Sequence, residues 1–331
     1  MKKVQYAVAL RETGNASGKA KKDAYETALQ LGFAPSYHAS KIQGVRVLQQ
    51  IISLPRFLGK KIIFFQYPAV SEQLMGMFEK VVSKKAYKIA LIHDLSSIQG
   101  LVEYDSDKEA KYLNIFECII VHNERMKRYA LDIGYNGKTV ILELFDYLHD
   151  LSRQITDKPF SNSISFAGNL DKAEFLQKVG TINCNWLLYG SESDFDFSKI
   201  HNIAYKGVLP SDEIQYLMEG DYGLVWNGDS IDTCTGLSGE YLRYNNPHKL
   251  SCYIAAGKPV ITWKQAAIAD FIEKNHIGFT VESLEEISTI DLESGYTEMK
   301  SNVMELKRKI ANGEFLQRAM MKAMESGEIV E

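Results

Sequence analysis

Three short clusters in this chain carry residue types able to act on a charged substrate. The first is Asn246-Pro247-His248-Lys249, which follows the polar run 229–245 and precedes the apolar stretch 250–257. Proline stops a preceding helix and opens a new one readily, so His248 and Lys249 fall in a first turn. Free backbone N–H groups and the helix dipole favour an anion there, and Lys249 adds a full charge. A diphosphate suits such a place. The same residues also read as a helix cap with a solvated lysine, because one lysine at a helix start is a weak signal. The long, glycine-punctuated loop before it strengthens the first reading, since long ordered loops are usually functional.

The second cluster is His93-Asp94, which ends the apolar run 88–92. An imidazole and a carboxylate at the carboxyl end of a strand are placed as a general base would be. Asp94 is the expected base with His93 holding it; His93 as the base and Asp94 as its orienter is equally compatible. The alternative is a capping Asp beside a structural His. His122-Asn123 repeats the pattern more weakly and reads as a cap.

The third cluster is the segment 165–172, Ser-Phe-Ala-Gly-Asn-Leu-Asp-Lys. Gly168 lets a ligand approach the backbone closely, and Asn169 can cap a following helix with Lys172 in its first turn. Lys172 and Lys249 are expected as two cations at two helix starts in one crevice. Asp229, Asp232 and Glu240 on the long loop, and Thr13, Asn15 and Ser17 on the loop after the first strand, are candidates to face a donor sugar. That second loop is not a nucleotide triphosphate loop. Gly14 to Gly18 is one residue too short for G-x-x-x-x-G-K-[ST], and Ala20 lacks the metal-binding hydroxyl.

Metal chemistry finds little support. Asp105-Ser106-Asp107 and Asp194-Phe195-Asp196 fit a D-x-D pattern, but neither follows a hydrophobic strand, and both read as capping carboxylates. No HxxxH, HExxH or Cys/His spacing is present, and no G-x-S-x-G elbow. No metal and no cofactor is therefore expected. Most aromatics sit at strand or helix-core spacing; Tyr241, Tyr244, Trp226 and Trp263 flank the long loop and are candidates to stack on a base or sugar.

The elements that must position these residues alternate between strand and helix. Strand-like runs are 4–10, 61–67, 88–92, 118–121 and 138–142, then 162–167, 186–189, 201–205, 222–226, 259–262 and 278–281. Helical spacing appears at 19–31 and 73–83 and again over the charged stretch 297–325. Short β-branched strands alternating with helices indicate doubly wound parallel sheets. Two such series predict two Rossmann-like domains facing a cleft, 1–155 and 156–331, with the C-terminal helix packed across them.

The whole chain of 331 residues is 45% hydrophobic and 24% charged, as in an ordinary globular protein, and carries a net charge of −4. No long basic run occurs, which argues against nucleic acid as a partner. Cys118, Cys184, Cys234 and Cys252 lack CxxC spacing and read as reduced thiols. No run approaches the roughly 20 apolar residues of a membrane span. A cytoplasmic protein is expected, with peripheral contact at the inner face of the membrane and homo-oligomerisation left open.

The run Gly223-Leu-Val-Trp-Asn-Gly-Asp-Ser-Ile-Asp-Thr-Cys234, then Tyr241-Leu-Arg-Tyr-Asn-Asn-Pro-His-Lys249, is long enough to be specific. With 18–24, 92–94, 167–169, 267–272 and Ile277-Gly278, it resembles a bacterial family of GT-B glycosyltransferases. That family includes a β-1,6-galactofuranosyltransferase of O-antigen synthesis and, more loosely, the glucosyltransferases acting on serine-rich adhesins. The resemblance implies an α/β GT-B fold, a UDP-sugar donor in the C-terminal domain and a saccharide acceptor, lipid-linked or free, in the N-terminal one. It also implies metal-independent inversion. The expected enzyme is a hexosyltransferase with UDP-galactofuranose as its donor, and a UDP-glucose-dependent glucosyltransferase or a non-catalytic nucleotide-sugar-binding subunit as alternatives.

Overall fold

The computed structural model describes residues 1–6, 16–36, 45, 48–49, 52–68, 80, 82, 84–99, 105–153, 155, 158–191 and 193–325, the side chains of 16, 17 and 54 apart. The sequence positions Thr13 and Asn15, most of the 73–83 helical run and the end of the first strand lie outside the described residues. Two compact units divide the chain: one takes it to Asp146 and again from Gly313, the other takes Tyr147–Asn312.

The first unit is built on a six-stranded parallel sheet in the order β2-β1-β3-β4-β5-β6. Its strands are β1 (Lys2–Gln5), β2 (Ala34–Pro35), β3 (Lys61–Tyr67), β4 (Tyr87–Ile92), β5 (Cys118–Val121) and β6 (Lys138–Ile141). Around it stand α1 (Ala16–Gln30), α2 (Ser106–Leu113) and α3 (Glu124–Asp132). The strands read as continuous apolar runs because both faces are covered. Ile63, Phe65 and Tyr67 join Ile92, Ile119 and Met126 in one core layer, whereas Phe64 meets Phe33 with ring centroids 5.9 Å apart. Asp105 and Asn123 cap α2 and α3 through the N–H groups of Lys108 (2.7 Å) and Met126 (3.0 Å).

The second unit holds β7 (Ser163–Ala167), β8 (Asn185–Tyr189), β9 (Ile203–Gly207), β10 (Tyr222–Val225), β11 (Val260–Trp263) and β12 (Gly278–Val281). Its helices include α4 (Ile214–Leu217), α5 (Gly236–Tyr241), α6 (His248–Ala255), α7 (Ala269–Asn275) and α8 (Tyr296–Ala311). The order β9-β8-β7-β10-β11-β12 is parallel throughout, so the chain winds outward from β7, then returns to its other side with β10. This is the dinucleotide-fold order, and its topological switch point lies between the carboxyl ends of β7 and β10.

The C-terminal stretch is two helices rather than one. It breaks at Asn312-Gly313, where Gly313 takes a φ of 76°, and α9 (Glu314–Met324) packs on β5 and β6 of the first sheet. The long loop after β10 also contains more structure than its glycines suggest, since α5 forms inside it.

Candidate active site

At the switch point of the second sheet, β10 pairs with β7 only through Tyr222↔Ile164 and Gly223↔Ser165. Beyond that register the gap is bridged by a side chain. Tyr253, one turn from the end of α6, accepts from Ala167 N–H and donates to Leu224 C=O, each at 3.0 Å. Its ring crosses Gly223 so closely that a β-carbon there would overlap it.

Lys249 sits one turn earlier on the same helix face, four residues before Tyr253. Its ammonium lies 4.3 Å from the centroid of the Phe166 ring and beside Gly168, where an added β-carbon would come within 3.0 Å of Nζ. Burial holds the Lys249 ammonium down to about 8, with the Cys234 side chain pulling the other way. Among the described residues no carboxylate is paired with it. A cation held over an aromatic face, at a helix start and at the switch point, is a ready anion site. Lys249 is thus half-buried and packed, not the solvated first-turn lysine of the simpler reading.

The neighbouring loop carboxylates are occupied elsewhere. Asp229 bonds the Thr235 hydroxyl, which holds its carboxyl below the usual range, and its carbonyl accepts Lys178 Nζ at 2.8 Å. Asp232 bonds the Ser230 hydroxyl at 3.0 Å, and Glu240 pairs with Arg243 at 2.9 Å. His248 stacks on Tyr147 with centroids 5.0 Å apart, and Asn246 is buried.

Lys172 is placed differently from the expectation. It lies exposed in a turn ahead of the 3-10 helix Glu174–Thr181, not in the first turn of an α-helix. Asn169 Oδ1 still accepts from Lys172 N–H at 3.3 Å, so the cap forms but on a turn. Gly168 and Lys249 are brought together; no contact joins Lys172 to either among the described residues. Trp226 and Trp263 are fully buried and Tyr241 nearly so, which makes them core residues rather than a stacking platform. Arg243 covers the Trp263 ring at 4.4 Å. The D-x-D carboxylates cap: Asp105 as above, and Asp196 through Ser198 N–H at 3.2 Å.

In the first unit, His93 and Asp94 follow β4. His93 Nε2 meets Gln66 Oε1 at 2.8 Å, while Gln66 Nε2 donates to Lys21 C=O on α1 at 3.1 Å. The amide therefore presents its oxygen to the imidazole, which fixes Nε2 as the protonated nitrogen. The ring also stacks on Phe145 at 5.6 Å. Asp94, the more exposed of the two, accepts from Gln99 Nε2 at 2.8 Å. Lys21 senses it: burial lowers the Lys21 ammonium and the Asp94 charge opposes that shift. His122 is fully buried against Ile92 C=O at 2.9 Å and pushed down to about 4, so it is a neutral structural imidazole. Ser17 falls within α1.

Sequence reasoning missed Phe166 and Tyr253. Each is an ordinary core aromatic in type, and only the pairing of β7 with α6, more than 80 residues apart, reveals its part in the site.

The chain compares closely with known proteins. The C-terminal domain of the glucosyltransferase 3-like family matches residues 164–323, and its N-terminal domain matches residues 7–144. The beta-1,6-galactofuranosyltransferase WbbI of Escherichia coli is 31% identical over 91% of this chain and 92% of its own. The chain belongs to the glucosyltransferase 3-like family of glycosyltransferases. Within that family, Glucosyltransferase 3 of Streptococcus gordonii is 26% identical over 76% of this chain and 74% of its own. Among solved structures, Anabaena HepE in complex with UDP and glucose aligns with a TM-score of 0.59 at 10% identity, covering 98% of this chain and 100% of that one. AviGT4, a glycosyltransferase of avilamycin A biosynthesis, aligns at 0.61 and 11%, covering 99% and 98%. These likenesses show the GT-B fold of this family member.

Proposed function

We propose that the protein transfers a hexosyl group, galactofuranosyl, from a UDP-sugar to a saccharide hydroxyl, with inversion and without a metal. The observation that carries the donor half is Lys249. An ammonium that no carboxylate among the described residues pairs with, over Phe166 and beside Gly168 at the switch point, fits the diphosphate of a nucleotide sugar. The relative WbbI, named a beta-1,6-galactofuranosyltransferase, supports the sugar, and the UDP bound in HepE supports the nucleotide.

In this reading the acceptor oxygen forms a bond to the anomeric carbon as the bond to the diphosphate oxygen breaks. The hydroxyl proton passes to Asp94, or to His93 with Asp94 orienting it, and UDP leaves with the electron pair. Lys249 meets the negative charge that grows on the leaving diphosphate. Such pre-placed charge typically contributes about 10²–10³-fold in rate. In the same reading Lys172 and Asn169, exposed in the turn after Gly168, touch the donor from the β7 side.

The test is a donor comparison with purified protein: UDP release from UDP-galactofuranose, UDP-galactose and UDP-glucose, with and without a saccharide acceptor. Acceptor-stimulated release from UDP-galactofuranose is expected. Turnover of UDP-glucose alone would move the protein toward its Glucosyltransferase 3 relatives. Binding without release from any donor would make it a nucleotide-sugar-binding subunit.

A further inference from the structure

The second unit contains a cavity of about 1100 Å³ on the edge of its sheet opposite Lys249. Ser163, Asn185 and Ile203, the first residues of β7, β8 and β9, line it, as do Asp221, immediately before β10, and Lys258, two residues before β11. In a parallel sheet all strands begin on one edge, so a strand's length, roughly 15 Å, separates this cavity from the carboxyl ends that carry Gly168.

Six cationic side chains line it against two carboxylates. Several are already matched. Arg153 is bonded to Glu213 through two contacts of 2.8 Å, and Glu219 is held by Lys158 and Lys206, both at 2.9 Å. Asp221 accepts from Ser161 and Ser163. Lys258, 6% exposed, donates to Gly220 C=O.

Lys307 is different. It is 5% exposed, lies on the cavity-facing side of α8 with Lys300 and Met304, and meets no acceptor or carboxylate among the described residues. A buried ammonium without a partner is costly, and such groups are nearly always paired. Burial lowers both Lys307 and Lys258 to about 8, which leaves them charged at neutral pH. Apolar surface accompanies the charge: the exposed Leu151, Leu217 and Met304 are all among the lining.

We propose that this cavity is a second anion site, independent of the Lys249 site, which takes a phosphate or diphosphate ester between Lys307, Lys258 and Lys300. The charge excess calls for a multiply charged head, and the apolar lining calls for an organic body rather than bare phosphate. A soluble sugar phosphate and the phosphate headgroup of a lipid share that chemistry.

Calorimetric titration of the full chain, with the Lys249 site first saturated with excess UDP, by pyrophosphate and by glucose 1-phosphate tests the soluble source. Flotation with phosphatidylcholine vesicles containing phosphatidic acid tests the lipid source. Binding of at least one probe is expected, about tenfold or more weaker in Lys307→Met and unchanged in Lys249→Met. Lys307→Met replaces a buried charge by an apolar stem of similar length, so it should melt at or above wild type when no anion is present. Should that variant fail to fold, Lys300→Gln, on a half-exposed residue, carries the test with a smaller loss. The proposal is overturned if wild type binds none of the probes, if Lys307→Met and Lys300→Gln bind as wild type does, or if only Lys249→Met loses binding.

Discussion

The ring of Tyr253 occupies the space that a β-carbon would take at Gly223, and its hydroxyl holds β7 to β10 where their own ladder has ended. The absence of a side chain at one position thus lets a residue 30 places later wedge the switch point. The same helix then carries Lys249 to the mouth of that wedge.

Breaking the wedge should cost stability. Tyr253→Phe leaves Ala167 N–H and Leu224 C=O buried without a partner, a loss of about 1–3 kcal/mol. Gly223→Ala must displace the ring and should lose about 1–3 kcal/mol. Urea unfolding midpoints measure both, and wild-type midpoints would remove the bridge from the account.

Lys249 makes donor binding depend on pH. Burial places its ammonium near 8 in the free protein, and a bound diphosphate raises that value. UDP affinity should be full below about 8 and fall above it, where binding must first restore the proton. Lys249→Met should weaken UDP about 10–100-fold and flatten the pH profile. Calorimetry at neutral and alkaline pH gives both results; a flat wild-type profile would count against the assignment.

The base should separate from the donor site kinetically. Asp94→Asn is expected to lower transfer about 10²–10⁴-fold while UDP affinity stays put. Comparison with His93→Gln shows which member takes the proton, because the one that orients costs less. Wild-type turnover in both variants would place the base elsewhere.

With Lys249 as the charge stabiliser, EDTA should leave the transfer rate within about twofold, against about 10²-fold or more if a metal held the diphosphate. Loss of rate with EDTA and its rescue by manganese would refute the one-cation reading.

Asp146 offers a stability test in the first unit. Its oxygens accept from Phe315 N–H (3.2 Å) and Leu316 N–H (2.7 Å) at the start of α9, yet burial outweighs those bonds and raises its carboxyl from 3.8 to about 7. The folded state then holds a proton that the unfolded chain has released. That contribution is full below about 3.8 and is lost as pH rises through about 7. Asp146→Asn should flatten the dependence of the urea midpoint across that window.

Much of the fold was legible because parallel strands buried on both faces write themselves as unbroken apolar runs, as 61–67 and 118–121 do. The helix start ahead of Lys249 was legible too, since Pro247 announces it and places Lys249 in the first turn. Burial was not. Trp226 and Trp263 have the residue type of a stacking platform, and only their neighbours make them core. The helix after Asn169 was expected because its cap is present, but the chain turns first and then takes a 3-10 path, which moves Lys172 out of a helical first turn. The break at Gly313 was hidden because helical spacing resumes one residue later.

The return of the chain to its first sheet at α9 has a consequence for synthesis. Phe315, Leu316, Ala319, Met320 and Ala323 are all buried, on a helix that covers β5 and β6. Those strands are made nearly two hundred residues before their cover. A nascent chain therefore carries a greasy, half-finished sheet through the translation of everything from Tyr147 to Asn312. The first unit is a circle closed last, and cutting the protein at its midpoint would release a fragment lacking one wall.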